Sequence, residues 1–125
     1  MPPRRRRDPA EVDAAVARVL VSTDEGTTPA RPDLALAVRG LAERLAEQAP
    51  GHHVELRVPP FTAVQCVAGP RHTRGTPPNV VEVQALPFVA LCTGRLTWAD
   101  AAADGRVQTW GDRADLSAWL PLLPH

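Results

Sequence analysis

Apolar and polar positions recur with two different periods along this chain, and the change of period divides it into segments. Val12, Ala15, Val16, Val19 and Leu20 follow the i, i+3, i+4, i+7, i+8 spacing of one helical stripe. Asp8 suits the cap in front of it, Pro9 the first helical position, and Glu11 completes a capping-box pattern. The polar run Ser22 to Pro29, with Gly26 inside it, predicts a loop. A second helix is predicted from about Pro32 to Gln48, with Leu34, Val38, Leu41 and Leu45 inward and an Arg39–Glu43 pair on its surface. Pro50-Gly51 stops it.

The period then becomes two. His53, Glu55 and Arg57 alternate with Val54, Leu56 and Val58, which predicts a strand with one wet face and one dry face. Pro59-Pro60 breaks it. In the next strand, Phe61 to Val67, both faces are apolar: Phe61, Ala63 and Val67 on one, Val64 and Cys66 on the other. Such a strand is expected to be covered on both sides or to line a cavity on one. Residues 69–78 predict a loop, and Asn79 to Ala85 a strand with Val81, Val83 and Ala85 on one side.

Shorter elements follow. Pro87 opens a helix carrying Phe88, Leu91 and Cys92, which Gly94 closes, and Thr97 caps another that Gly105 ends. Arg106 to Trp110 suits an edge strand. Asp112 is placed to cap a terminal helix packing through Leu116, Trp119 and Leu120 and stopped by Pro121. Strands grouped mid-chain, with connections too short for parallel crossovers, predict an α+β fold. Its mostly antiparallel sheet has about four to five strands layered with helices.

Composition narrows the function. A chain of 125 residues suits a single domain over residues 8–125, behind an Arg-rich tail over residues 1–7 that is expected to be disordered. Fourteen Arg balance fourteen Asp and Glu, so no nucleic-acid partner is expected. No apolar run approaches the ~20 residues of a membrane span, so no stable membrane insertion is expected. The basic residues before Asp8 are followed by no apolar signal region, which makes a cytoplasmic location the expectation. Lys and Tyr are absent, excluding Schiff-base and P-loop lysine chemistry, and neither Ser22 nor Ser117 sits in a nucleophile elbow. Alanine abundance and the use of Arg alone suit a GC-rich bacterial genome.

The residues that carry chemistry offer little constellation. Cys66, Cys92, His52, His53, His72 and His125 lack metal-ligand spacing, and adjacent His52 and His53 point to opposite faces of a strand. They read as solvated or capping histidines, and no metal or cofactor is expected. Both cysteines read as small buried hydrophobes. An enzyme built on His72 with Cys66 or Asp112 has no supporting pattern, so no enzymatic activity is expected. Arg71, His72 and Arg74 share a loop with Thr73, Thr76 and the double proline Pro77-Pro78, a composition suited either to an anionic head group or to a plain turn. Trp98, Trp110 and Trp119 cluster late in the chain with Phe88, as core or as cavity wall.

Several segments carry a family resemblance. Val54 to Cys66, Arg71 to Glu82, Leu91 to Ala101 and Asp104 to Leu122 together resemble the short bacterial orthologues of the sterol carrier protein type 2 family. The ending is also similar to the C-terminal domain of mycothiol-dependent maleylpyruvate isomerase-like proteins. The resemblance implies a sterol-carrier-like layered α+β domain around an apolar tunnel, binding fatty acyl chains or other lipids without reacting with them. On that reading the expected ligand-binding residues are Val64, Cys66, Val81, Val83, Phe88, Leu91, Trp98, Trp110 and Trp119, with Arg71 and Arg74 near the mouth for an acidic head. The alternative is a protein-interaction or dimerisation module with a filled core and no ligand.

Overall fold

The computed structural model describes residues 7–69 and 79–122. Helix α1 spans Pro9–Glu25, and the Asp8 carboxylate caps it by accepting from the Ala10 N–H at 2.9 Å. It continues through Ser22–Glu25, where the polar composition predicts a loop. Exposed polar residues cost a docked helix little, whereas ending it takes a backbone change. Gly26 supplies that change at φ 71°, and the Thr27 N–H closes onto the Ser22 carbonyl at 2.9 Å.

Helix α2 spans Arg31–Gln48 and packs along α1 at Gly40, where the absent side chain makes room for Val12. The expected Arg39–Glu43 surface pair is replaced by tertiary partners. Arg39 Nε donates to the Phe61 carbonyl at 3.1 Å, and Glu43 forms an ion pair with Arg7, a residue assigned to the tail from its charge.

Four strands follow: β1 Val54–Val58, β2 Thr62–Cys66, β3 Asn79–Val83 and β4 Val107–Trp110, in the order β2-β1-β3-β4. The β1–β2 hairpin sets Val54 against Cys66, and β3 lies antiparallel to β4 with Val80 opposite Trp110. The central pair is parallel, Val54 facing Asn79. The sheet is therefore mixed, though two of its three pairings are antiparallel. β3 pairs on the side of β1 away from β2, and the connection between the two parallel strands runs through β2 itself, residues 59–78, which exceeds the roughly dozen residues a parallel crossover needs.

Helix α3 is Ala85–Thr93, closed by left-handed Gly94, and α4 is Trp98–Ala103, capped by the Thr97 hydroxyl accepting from the Asp100 N–H at 3.1 Å. Helices and one sheet face share a single core. Val19, Val38, Leu45, Val54, Leu56 and Val81 are each fully buried in it. The opposite sheet face carries Glu55, Arg57, Glu82, Gln108 and Trp110. Ala63 and Gln65 of β2 are exposed there, so the expectation that β2 is covered on both faces is corrected.

The predicted terminal helix is reduced to a 3₁₀ turn at Ser117–Trp119. The few residues between Asp112 and Pro121 cannot repay helix nucleation. Leu116 nevertheless reaches the core at 1% exposure.

Candidate functional site

The parallel strands β1 and β3 end on the same side of the sheet, and an apolar groove of about 630 Å³ opens there. Arg31 and Leu34 come from the first turn of α2, and Pro59, Pro60 and Phe61 from the β1–β2 turn. Gln84, Ala85, Leu86 and Pro87 come from the start of α3. Its volume falls in the range of roughly 300–1,000 Å³ typical of small-molecule sites. The Phe61 N–H bonds the Val58 carbonyl at 2.9 Å, and Arg39 holds the Phe61 carbonyl, so the aromatic wall is tied to both sheet and helix.

The one charged side chain that lines the groove is basic. The Arg31 guanidinium sits 5.1 Å from the Phe61 ring centroid, a cation–π contact at the rim, and no carboxylate is among the lining side chains. Two helices begin at the same place. Ala30 and Gln84 occupy the cap positions of α2 and α3, and neither supplies a side-chain cap. Asp33 in the first turn of α2 offsets part of that helix's positive end but is paired with Arg18 at 2.9 Å and does not line the groove, so Arg31 and the start of α3 favour an anionic group beside an otherwise apolar wall.

The residues expected to line a ligand cavity are distributed differently. Cys66, Val81, Val83, Phe88 and Leu91 are packed in the core at 2% exposure or less. Val64, Trp98 and Trp119 are half-buried against the same core. Trp110 is 51% exposed on the opposite sheet face, toward the far end of β3. Arg71, Arg74 and the histidine between them lie outside the described residues. Val83 also borders a hollow of about 250 Å³ with Gln84, Pro87, Arg106 and Gln108.

Periodicity does not group the groove residues because each lies at a break: a double proline, a strand end, a helix start. The only local sign is two helix starts whose cap positions hold Ala30 and Gln84 rather than Ser, Thr, Asp or Asn.

A polar cluster stands at the other end of the sheet, beside a cleft of about 290 Å³ that Gly111, Asp112 and Arg113 complete. The Asn79 amide accepts from the Arg113 N–H at 2.9 Å and donates to the His53 carbonyl at 3.2 Å, which fixes its orientation. Its NH2 therefore faces His53 Nε2 at 3.1 Å as donor, and the imidazole proton belongs on Nδ1. Nδ1 is buried without a hydrogen-bond partner among the described residues. His53, expected to be solvated or capping, is instead 91% buried, whereas His52 is exposed and bonded to Gln65.

Burial pushes the Cys66 thiol up to about 11 and raises Cys92 as well, so both are neutral thiols at neutral pH. No group of three or more metal-ligating side chains occurs among the described residues, and no described helix is long and apolar enough to cross a membrane. Residues 30–122, about three quarters of the chain, match the family described as bacterial SCP ortholog. No curated protein matches the chain.

Proposed function

The chain belongs to the bacterial SCP orthologues, a sterol carrier protein-like family, and from that premise we propose that it carries a hydrophobic small molecule without reacting with it. The acid-free apolar groove with Arg31 at its rim is the observation that supports this reading. A fatty acyl chain lies along Leu34, Phe61 and Leu86, and its acidic head meets the Arg31 guanidinium and the uncapped starts of α2 and α3. On this reading the protein is a cytoplasmic carrier that needs no cofactor because binding alone performs the task, and the buried neutral thiols Cys66 and Cys92 supply no nucleophile.

Affinity follows from burial. A fully buried methylene contributes about 0.8 kcal/mol, so one half-buried in an open groove contributes about 0.4 kcal/mol, or about twofold in affinity. Titration with saturated fatty acids of increasing length is expected to show about that gain per carbon, then a plateau once the chain outruns the groove. Arg31→Gln should weaken binding of the acids and leave the matching alcohols unchanged. Purification from a bacterial host followed by native mass spectrometry should reveal a co-purified acyl chain. A clean apo mass together with no binding across the series would refute carriage.

A further inference from the structure

We propose that the cleft around His53 is a second binding site, one that takes a small carboxylate bearing a hydroxyl group beside its carboxyl. The cleft lies at the opposite end of the sheet from the apolar groove, so this site does not depend on carriage. An unmade hydrogen bond points to it. The His53 imidazole is only 9% exposed, and its Nε2 accepts from the Asn79 amide. Nδ1 therefore carries the proton, yet it donates to nothing among the described residues. A buried donor in that state costs stability, and such an orphan calls for an acceptor from outside the chain.

The cleft supplies the rest of a recognition site. His53 and Asn79 form its buried wall, while Gly111, Asp112 and Arg113 are exposed at its mouth. Asn79 ties wall to mouth, because it holds both the His53 carbonyl and the Arg113 N–H. Neither the Arg113 guanidinium nor the Asp112 carboxylate takes part in an ion pair among the described residues. The site thus offers one neutral donor, one cation and one anion.

A ligand carboxylate answers the first two, its oxygens divided between Nδ1–H and the guanidinium. Asp112 can only accept, so it disfavours a second negative charge and favours a hydroxyl next to the carboxyl. A volume of about 290 Å³ lies at the lower end for small-molecule sites and suits a skeleton of a few carbons. A Cβ on exposed Gly69 would stand 2.6 Å from Nδ1, so the residue that lies over this atom has no side chain. A shift of that one glycine opens Nδ1–H to the cleft.

The test titrates lactate into the full chain carrying isotope-labelled histidine. Propionate serves as the same skeleton without the hydroxyl, and inorganic phosphate as the more highly charged oxyanion. Lactate should move the Nδ1 resonance of His53 and bind about fivefold more tightly than propionate, the worth of one hydrogen bond. Phosphate should be the weakest of the three. Arg113→Gln should weaken lactate about tenfold, whereas Arg106→Gln, at the far end of β4, should leave it unchanged. Asp112→Ala should strengthen propionate and erase the preference for lactate. All three substitutions fall on exposed side chains, so the fold is retained.

A still Nδ1 resonance beside a shifting Arg113 amide would mean an anion gathered at the surface, and would overturn the proposal. Equal weakening of lactate by Arg106→Gln and Arg113→Gln would do the same. Phosphate binding more tightly than lactate would sink the carboxylate assignment, and no response to any of the three probes would sink the site.

Discussion

Replacing Gly40 by Ala sets two opposing effects on one added atom. Gly40 lies inside α2, where Ala is about 1 kcal/mol better as a helix former. A Cβ built there, however, stands 2.5 Å from both Val12 methyl carbons and 3.0 Å from the Val12 Cβ. Carbon contacts are optimal near 3.5–4.0 Å, so the helices must part by about 1 Å. Val12 is 2% exposed and β-branched, which leaves its side chain no rotamer into which to retreat. Overpacking of this kind costs roughly 1–3 kcal/mol, and contact along the whole α1–α2 seam places it at the upper end. The net expectation is a loss of about 2 kcal/mol, or a fall in Tm of about 8 °C for a chain of this length.

The assay is thermal and urea unfolding by circular dichroism of Gly40→Ala, Val12→Ala and the double variant. Val12→Ala alone should cost about 2 kcal/mol from lost burial and a small cavity. In that background Gly40→Ala should become stabilising by up to about 1 kcal/mol, giving a coupling near 3 kcal/mol. A higher Tm for Gly40→Ala with Val12 intact, or additive effects in the cycle, would refute the close packing of α1 on α2.

Four further outcomes test the polar and thiol sites. Asn79→Ala strips partners from the His53 carbonyl, His53 Nε2 and the Arg113 N–H, so a loss of about 3 kcal/mol is expected in urea unfolding. Nitrogen chemical shifts of the wild-type imidazole should report the proton on Nδ1, and a proton on Nε2 would contradict the amide orientation. Both cysteines should resist iodoacetamide in the native protein and react on unfolding. Because burial raises Cys66 from 9.0 to about 11, the folded state binds its proton more tightly than the unfolded state. Its contribution to stability is thus complete below pH 9 and declines as pH rises toward 11. Cys66→Ala should reduce the alkaline decline in Tm, leaving the part that buried Cys92 contributes, and an unchanged slope would assign it elsewhere.

How much of this was legible in the chain depends on the range of the interaction involved. The stripe Val12, Ala15, Val19 marks the buried face of α1, Asp8 and Thr97 cap the helices they precede, and Val54, Leu56 and Val58 face the core by their period of two. Each depends on neighbours within one or two turns, so periodicity and capping chemistry suffice to reveal them. The α+β class follows from the order of those elements, and segments such as Val54 to Cys66 carry the family resemblance.

Other features needed the folded chain. Gln65 and Ala63 are exposed because no helix covers that sheet face, a fact of layering that alternation along β2 does not encode. Arg39 prefers the Phe61 carbonyl to Glu43, and His53 is buried by Asn79, because partners 22 and 26 residues away arrive with the sheet. The groove depends most on tertiary structure. Leu34, Phe61 and Leu86 belong to three separate elements, and they meet only because β1 and β3 run parallel and so end together. The sequence by itself determined the elements and their buried faces, since local sterics and burial set them residue by residue. The parallel register of β1 with β3, settled by long-range pairing of the whole chain, decided that two helix starts and a proline turn would meet around one apolar groove.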